Sequence, residues 1–194
     1  MLMTDIEQII QDSISVKRAL LNDKELLTRI CRFKDMIIDT YRHGGKVLFC
    51  GNGGSAADAQ HIAAELSGRF YLDRKPLYAE ALHCNSSYMT SVSNDYGFDK
   101  VFSRAIEATG QKGDVLVGIS TSGNSANVLN AMQKAREIGV STIAMTGNDG
   151  GKMTALSDLL INVPSTCTPR IQEAHIMIGH IVCELVEKEL FGNE

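Results

Sequence analysis

Val47-Leu48-Phe49-Cys50-Gly51-Asn52-Gly53-Gly54-Ser55-Ala56 and Val115-Leu116-Val117-Gly118-Ile119-Ser120-Thr121-Ser122-Gly123-Asn124-Ser125-Ala126 read almost alike. Each opens on a short apolar run and ends in Gly-x-Ser-Ala, after which the pattern suits a helix. An apolar run without polar alternation is buried on both faces, as in a parallel sheet covered by helices. A Gly/Ser loop that opens a helix offers unpaired N–H groups and the positive end of the helix dipole, which together favour an anion. Two such loops predict a pocket that grips a phosphorylated small molecule between them.

Working outward, strands are expected at 46–50, 77–81, 114–119, 141–146 and 158–163. Helices are expected at 55–67, 86–94, 98–109, 124–138 and 170–190. This alternation predicts a three-layer α/β sandwich around a five-stranded parallel sheet. Before it, residues 4–21 carry Ile6, Ile9, Ile10, Ile14, Val16 and Leu20 at helical spacing, with Thr4 and Glu7 forming a capping-box pattern. A second helix, 24–42, ends at Gly44-Gly45. The chain thus reads as a single domain over 1–194, with a helical segment at 1–44 and an α/β core at 45–194. The first two helices either pack on the sheet or form an oligomer interface.

At 194 residues the chain can bury a full core, and its net charge of -4 argues against nucleic-acid binding. The five cysteines (Cys31, Cys50, Cys84, Cys167, Cys183) form no Cys-x-x-Cys pair and read as reduced thiols used as small hydrophobes. Asp5, Glu7 and Asp12 break any signal peptide, and no apolar run approaches membrane-spanning length. A cytoplasmic location without membrane contact is expected.

Ser120, Thr121, Ser122 and Ser125 crowd one loop at the carboxyl end of a strand, where ligands of open α/β sheets bind. A turn with an N-cap needs only one such hydroxyl, so the excess favours phosphate. No Lys follows the loop and neither loop is Gly-x-Gly-x-x-Gly, which disfavours nucleotide triphosphates and dinucleotides. His61 and Glu65 stand one turn apart on one helix face, a spacing that suits metal chelation, acid–base work or an exposed surface pair. Arg69 follows as an anion ligand or helix-end cap. In the last helix, Gln172 and His180 interrupt an apolar face two turns apart and roughly 80° around the axis. Each is a core polar group or a ligand. Asn94 and Asp95 precede Gly97 as either a helix end or a sugar contact. His43 and His83 read as structural or exposed.

These residues together carry a family resemblance. The chain resembles the phosphoheptose isomerases (sedoheptulose 7-phosphate isomerases) of the SIS, or sugar isomerase, fold, over nearly its whole length. The most specific stretches are Gly51 to Ser55, His61 to Arg69, Ser93-Asn94-Asp95, Ser120 to Ser125, Thr146-Gly147 with Asp149-Gly150-Gly151, and Arg170 to Glu173 with His180. The resemblance implies an intramolecular oxidoreductase that converts sedoheptulose 7-phosphate to D-glycero-D-manno-heptose 7-phosphate through an enediol. That step opens the synthesis of ADP- or GDP-heptose precursors for lipopolysaccharide or capsule. It implies Asn52, Gly53, Gly54, Ser55, Glu65, Arg69, Asn94, Asp95, Ser120, Thr121, Ser122, Ser125 and Gln172 as substrate contacts. It further implies one zinc per subunit on His61, Glu65, Gln172 and His180, Glu65 and His180 as the proton-transfer pair, and no nucleotide or redox cofactor. It also implies a homotetramer with active sites between subunits. One position departs from the pattern: Pro169 stands where some relatives carry Asp, so no acid is expected there. Two other classes share the loops, namely partner-binding SIS proteins without the His/Glu/Gln/His set, and SIS enzymes of shorter phosphosugars.

Overall fold

The five apolar runs assemble into one parallel sheet in the computed structural model, which describes residues 2–192. Strands β1 (Val47–Gly51), β2 (Ala79–Ala81), β3 (Val115–Ile119), β4 (Ser141–Thr146) and β5 (Leu159–Asn162) lie in the order β2-β1-β3-β4-β5. Val47 pairs with Ala79 on one side and Val115 on the other. After β2 the chain returns to the far side of β1, so the order reverses between β1 and β3. The carboxyl ends of those two strands therefore form the crevice where ligands of such sheets bind, and both Gly/Ser loops lie there.

Helices α1 (Leu2–Asn22), α2 (Lys24–Arg42), α3 (Gly54–Ser67), α4 (Ser86–Tyr96), α5 (Val101–Thr109), α6 (Ala126–Glu137) and α7 (Thr168–Phe191) complete the architecture. Alternate strand residues sort to the two faces of the sheet. Val47, Phe49, Val117, Ile143 and Ile161 pack with α2, α3 and α7, including Phe33, Ile37, Ile62 and Ile178. Leu48, Cys50, Leu116 and Ala144 pack with α4, α5 and α6, including Val92, Phe102, Ile106 and Met132. Pro169 sits in the first turn of α7, where its missing N–H costs no helical bond.

Several local expectations are revised. The strand read at 77–81 shortens to Ala79–Ala81, because pairing with β1 begins only where Val47 N–H donates to the Tyr78 carbonyl, 3.1 Å. Phe98–Lys100 is a 3-10 turn ahead of α5 rather than its first turn, and Gly151–Leu156 forms another 3-10 turn that the sequence does not announce. Asn124 and Ser125 stay outside α6, with Ser125 as its N-cap. Thr4 lies inside α1, which starts at Leu2, so no capping box forms there. The two N-terminal helices pack differently. α2 buries Leu26, Ile30, Phe33, Ile37 and Ile38 against the sheet side. α1 packs on α7 and α2 and leaves Ile6, Ile9 and Ile10 about half exposed. Only Cys50 and Cys183 serve as buried hydrophobes; Cys31, Cys84 and Cys167 are exposed. All five are free thiols. Among the described residues, no helix is long and apolar enough to cross a membrane.

Candidate active site

The second loop is built to keep its hydroxyls available. Ser125 occupies the N-cap of α6, yet its side chain does not bond to the helix. Its Oγ lies 3.0 Å from Ser120 Oγ, which lies 3.4 Å from Ser122 Oγ. The surplus of hydroxyls therefore does not serve capping. In the first turn of α6 the Val128 N–H donates to Asn127 Oδ1 at 3.0 Å, while the N–H groups of Ala126 and Asn127 have no intrahelical acceptors. Gly123 adopts φ +64°, and a Cβ there would collide with the Gly150 carbonyl, so the 147–151 turn braces the loop from outside. Asn124 ties the two together, its Oδ1 accepting from Lys152 N–H at 3.1 Å. A cavity of about 300 Å³ opens between Thr121, Ser122, Gly147, Ser165 and Ile171.

Asn127, in the first turn of α6, escaped the sequence reading. Its carboxamide is buried and exchanges two hydrogen bonds with Asn52, at 2.9 and 2.8 Å. This pair stitches the first loop to the second and sets their spacing. Ser55 and Ser120, one on each loop, are both buried at 4% exposure.

The geometry of α3 and α7 brings the histidines together. His61 Nε2 is 3.1 Å from Glu65 Oε1 and 3.3 Å from His180 Nε2. The two rings meet edge to face, with centroids 5.0 Å apart. The helices approach closely there because Gly179, beside His180, presents no side chain to Ile62, beside His61. One ligand atom from each of His61, Glu65 and His180 lies within 4.8 Å of the others. Donors on a tetrahedral zinc, at Zn–N of 2.0–2.1 Å, stand roughly 3.4 Å apart, so two nitrogens and an oxygen at these separations fit such an ion. Half of the His61 side chain is exposed, which leaves the cluster open to a ligand.

Gln172 occupies a different level of the same helix. Its carboxamide rests on Gly54, where a Cβ would collide with Nε2. It thus touches the first loop, while its neighbour Ile171 lines the cavity beside the second. Along its length α7 thereby passes from the hydroxyl loop, past Gly54, to the His/Glu cluster.

Other expected residues stand apart. Asn94 and Asp95 are exposed at the end of α4, bonded to each other at 2.8 Å. Gly97 caps that helix, its N–H reaching Ser93 O. Arg69 is exposed and does not cap α3; Arg74 does, through the carbonyls of Glu65 and Leu66. His43 ends α2 with Nδ1 2.7 Å from Asp39 O, and His83 is half-buried with its Nδ1 unpaired and its pKa lowered by burial.

The sequence and the fold match known proteins. Residues 15–147 match the SIS domain family. A phosphoheptose isomerase of Clostridium acetobutylicum is 54% identical over 189 residues, covering 97% of this chain and 96% of that one. One of Mycobacterium tuberculosis is 54% identical over 186 residues, covering 96% and 95%. The chain belongs to the phosphoheptose isomerases of the SIS domain family. Its fold superposes on the solved phosphoheptose isomerase of Neisseria gonorrhoeae with TM-score 0.91 at 43% identity, over 97% of this chain and 100% of that one. The Francisella tularensis structure gives 0.93 at 34% identity, over 97% and 99%. A phosphoheptose isomerase must seat a phosphate and move a proton between neighbouring carbons.

The core histidine of α7 is His175, not His180. It is fully buried, with Nε2–H donating to Thr146 O at 3.0 Å and Nδ1 unpaired. Burial lowers its pKa from 6.5 to about 4, with the Thr146 bond opposing. The folded protein therefore holds it neutral, while the unfolded chain protonates it near 6.5. Its contribution is whole above pH 6.5 and is lost as pH falls toward 4, by about 3 kcal/mol in all. Denaturant melts at pH 7.5 and 4.5 should show this loss in the native protein. His175→Gln, which keeps a donor for Thr146, should show a correspondingly smaller loss.

Proposed function

We propose that the chain, in the cytoplasm, isomerises sedoheptulose 7-phosphate to D-glycero-D-manno-heptose 7-phosphate, supplying an early step toward nucleotide-activated heptose. The observation that carries this is the convergence of His61 and Glu65 of α3 with His180 of α7, the helix whose first turn borders a hydroxyl-rich loop. Ser55, Ser120, Thr121, Ser122 and Ser125 hold the phosphate with the α6 amides. Asn52, Gly53 and Gly54 shape the first loop, and Gln172 orients the sugar between the loops and the cluster. Arg69, Asn94 and Asp95 contact the sugar once subunits assemble. Such assembly, as a homotetramer, would cover the exposed Ile6, Ile9 and Ile10 of α1.

Aldose–ketose isomerisation removes a proton from one carbon and returns it to its neighbour through an enediol. It needs a base near C1 and C2 and an acid at the carbonyl oxygen. Glu65 acts as the base. Its Oε1 engages His61, and its Oε2 makes no hydrogen bond among the described residues, so one oxygen is free for the substrate. His180 exchanges the proton at oxygen. His61, Glu65 and His180, with Gln172 as a fourth donor, would hold zinc. Bound there, that ion would supply polarisation of the substrate oxygens.

The test is turnover of sedoheptulose 7-phosphate by the purified protein, before and after chelation and zinc re-addition. Heptose 7-phosphate should form, vanish on chelation and return with zinc. Product that persists after the metal is shown to be stripped would remove zinc from the reaction. A folded oligomer that gives no product with zinc would favour a binding role or a shorter phosphosugar.

A further inference from the structure

We propose that the buried Arg74–Glu187 pair is a positioning device for the His61/Glu65/His180 cluster. It fastens the end of α3 that carries Glu65 to the helix that carries His180. The inference rests on those three groups being the working site.

Arg74 and Glu187 are joined at 2.9 Å, with side chains only 2% and 3% exposed. The remaining guanidinium donors face α3, the chain just after it and the adjacent Lys75 carbonyl, which lies 3.1 Å from Nη1. Nη2 donates to Glu65 O at 3.0 Å, and Nη1 donates to Leu66 O at 2.9 Å and Gly68 O at 3.3 Å. Arg74 is thus an external C-cap for α3, its charge placed against the negative end of the helix dipole. The carbonyl that it grips belongs to Glu65 itself.

Glu187 works from the other side. It lies seven residues beyond His180 on α7, two turns along and on the same face. Its carboxylate accepts three successive backbone N–H groups: Phe70 at 3.1 Å, Tyr71 at 2.6 Å and Leu72 at 2.9 Å. Burial opposes its ionisation, but these donors and Arg74 hold the carboxyl below its usual range. The segment so fixed sets the Phe70 ring 5.8 Å from the His180 ring. One ion pair therefore governs the backbone under Glu65, the wall beside His180 and the separation of the two helices.

Stability alone does not account for this arrangement. A buried ion pair is commonly no more stabilising than an apolar pair of equal volume. What an apolar pair cannot do is hold the carbonyls of Glu65, Leu66 and Gly68 and three chosen N–H groups at fixed distances. A Lys at 74 keeps the charge but lacks the planar fork that spans Glu187, Glu65 and Leu66 together.

The experiment compares Arg74→Lys, Glu187→Gln and the double variant Arg74→Met/Glu187→Leu with the native full-length protein. The readouts are zinc affinity by chelator competition, kcat and KM for sedoheptulose 7-phosphate, and melting temperature. The double variant leaves no unpaired buried charge, so it should fold even if a single variant does not. All folded variants should bind zinc about tenfold more weakly and lose about 10- to 100-fold in kcat. KM should stay within about threefold, because the phosphate loops are not touched. Arg74→Lys should be the least impaired. A folded double variant, or Arg74→Lys, with native zinc affinity and native kcat overturns the proposal and leaves the pair a packing element. Native protein that neither binds zinc nor turns over overturns the reading of the site itself, and the inference with it.

Discussion

Glu65→Gln should lower kcat for sedoheptulose 7-phosphate by roughly 10³-fold, within the range that positioned acid–base groups supply. The change is nearly isosteric; it removes the ability to take a proton and weakens the donor that residue 65 would offer zinc. Glu65 is half-buried, and among the described residues its side chain bonds only to His61, so folding and assembly should be unchanged. The amide oxygen can still face His61, which separates loss of the base from loss of shape. Steady-state kinetics and exchange of solvent deuterium into the C1 and C2 positions measure the effect. Both should collapse together. A variant that keeps exchange within about tenfold of native would assign the proton to another group, and a protein serving only as a binding module would be indifferent to the change.

Gly179→Val should be nearly as damaging, by a different route. A Cβ at 179 would lie 2.5 Å from Ile62 Cδ1 and 2.7 Å from Cγ1. Ile62 is 1% exposed and has little room to move aside. The helices must separate at the point flanked by His61 and His180. Overpacking of this kind costs about 1–3 kcal/mol, and displacement of reacting groups by an ångström costs about 100-fold in rate. Melting temperature and kcat should therefore fall together. Adding Ile62→Ala removes both colliding carbons and should restore part of the rate, although the smaller side chain lowers stability. Unchanged turnover in the single variant would mean that the imidazoles keep their 3.3 Å approach without the close helix contact.

The sheet was legible because β1, β3 and β4 are largely apolar runs of five or six residues, too uniform for a solvent-facing sheet and followed by glycine-containing loops. Both Gly/Ser loops were legible too, since Gly and Ser cluster where the backbone must turn. The His61–Glu65 pair was visible as a helical spacing. His180 was visible as a polar break in an apolar helix. Asn52 was noticed but its partner was not, because Asn127 lies 75 residues away inside an ordinary helix opening. Arg74 and Glu187 carry no mark in the local sequence, which holds no sign that two such groups will be buried against each other.

Local sequence by itself determined the class of fold, the two anion-ready loops and which side chains could carry proton or metal chemistry. Those properties depend on residue type and on spacings within a few turns, where backbone geometry is set by neighbours. Tertiary structure alone decided that His180 rather than His175 faces His61, that Arg74 rather than Arg69 closes α3, and that Asn127 joins the loops. Each of these depends on how far apart α3, α6 and α7 stand and how they are rotated. Side-chain volumes at contacts such as Ile62 on Gly179 set that geometry across more than a hundred residues of chain.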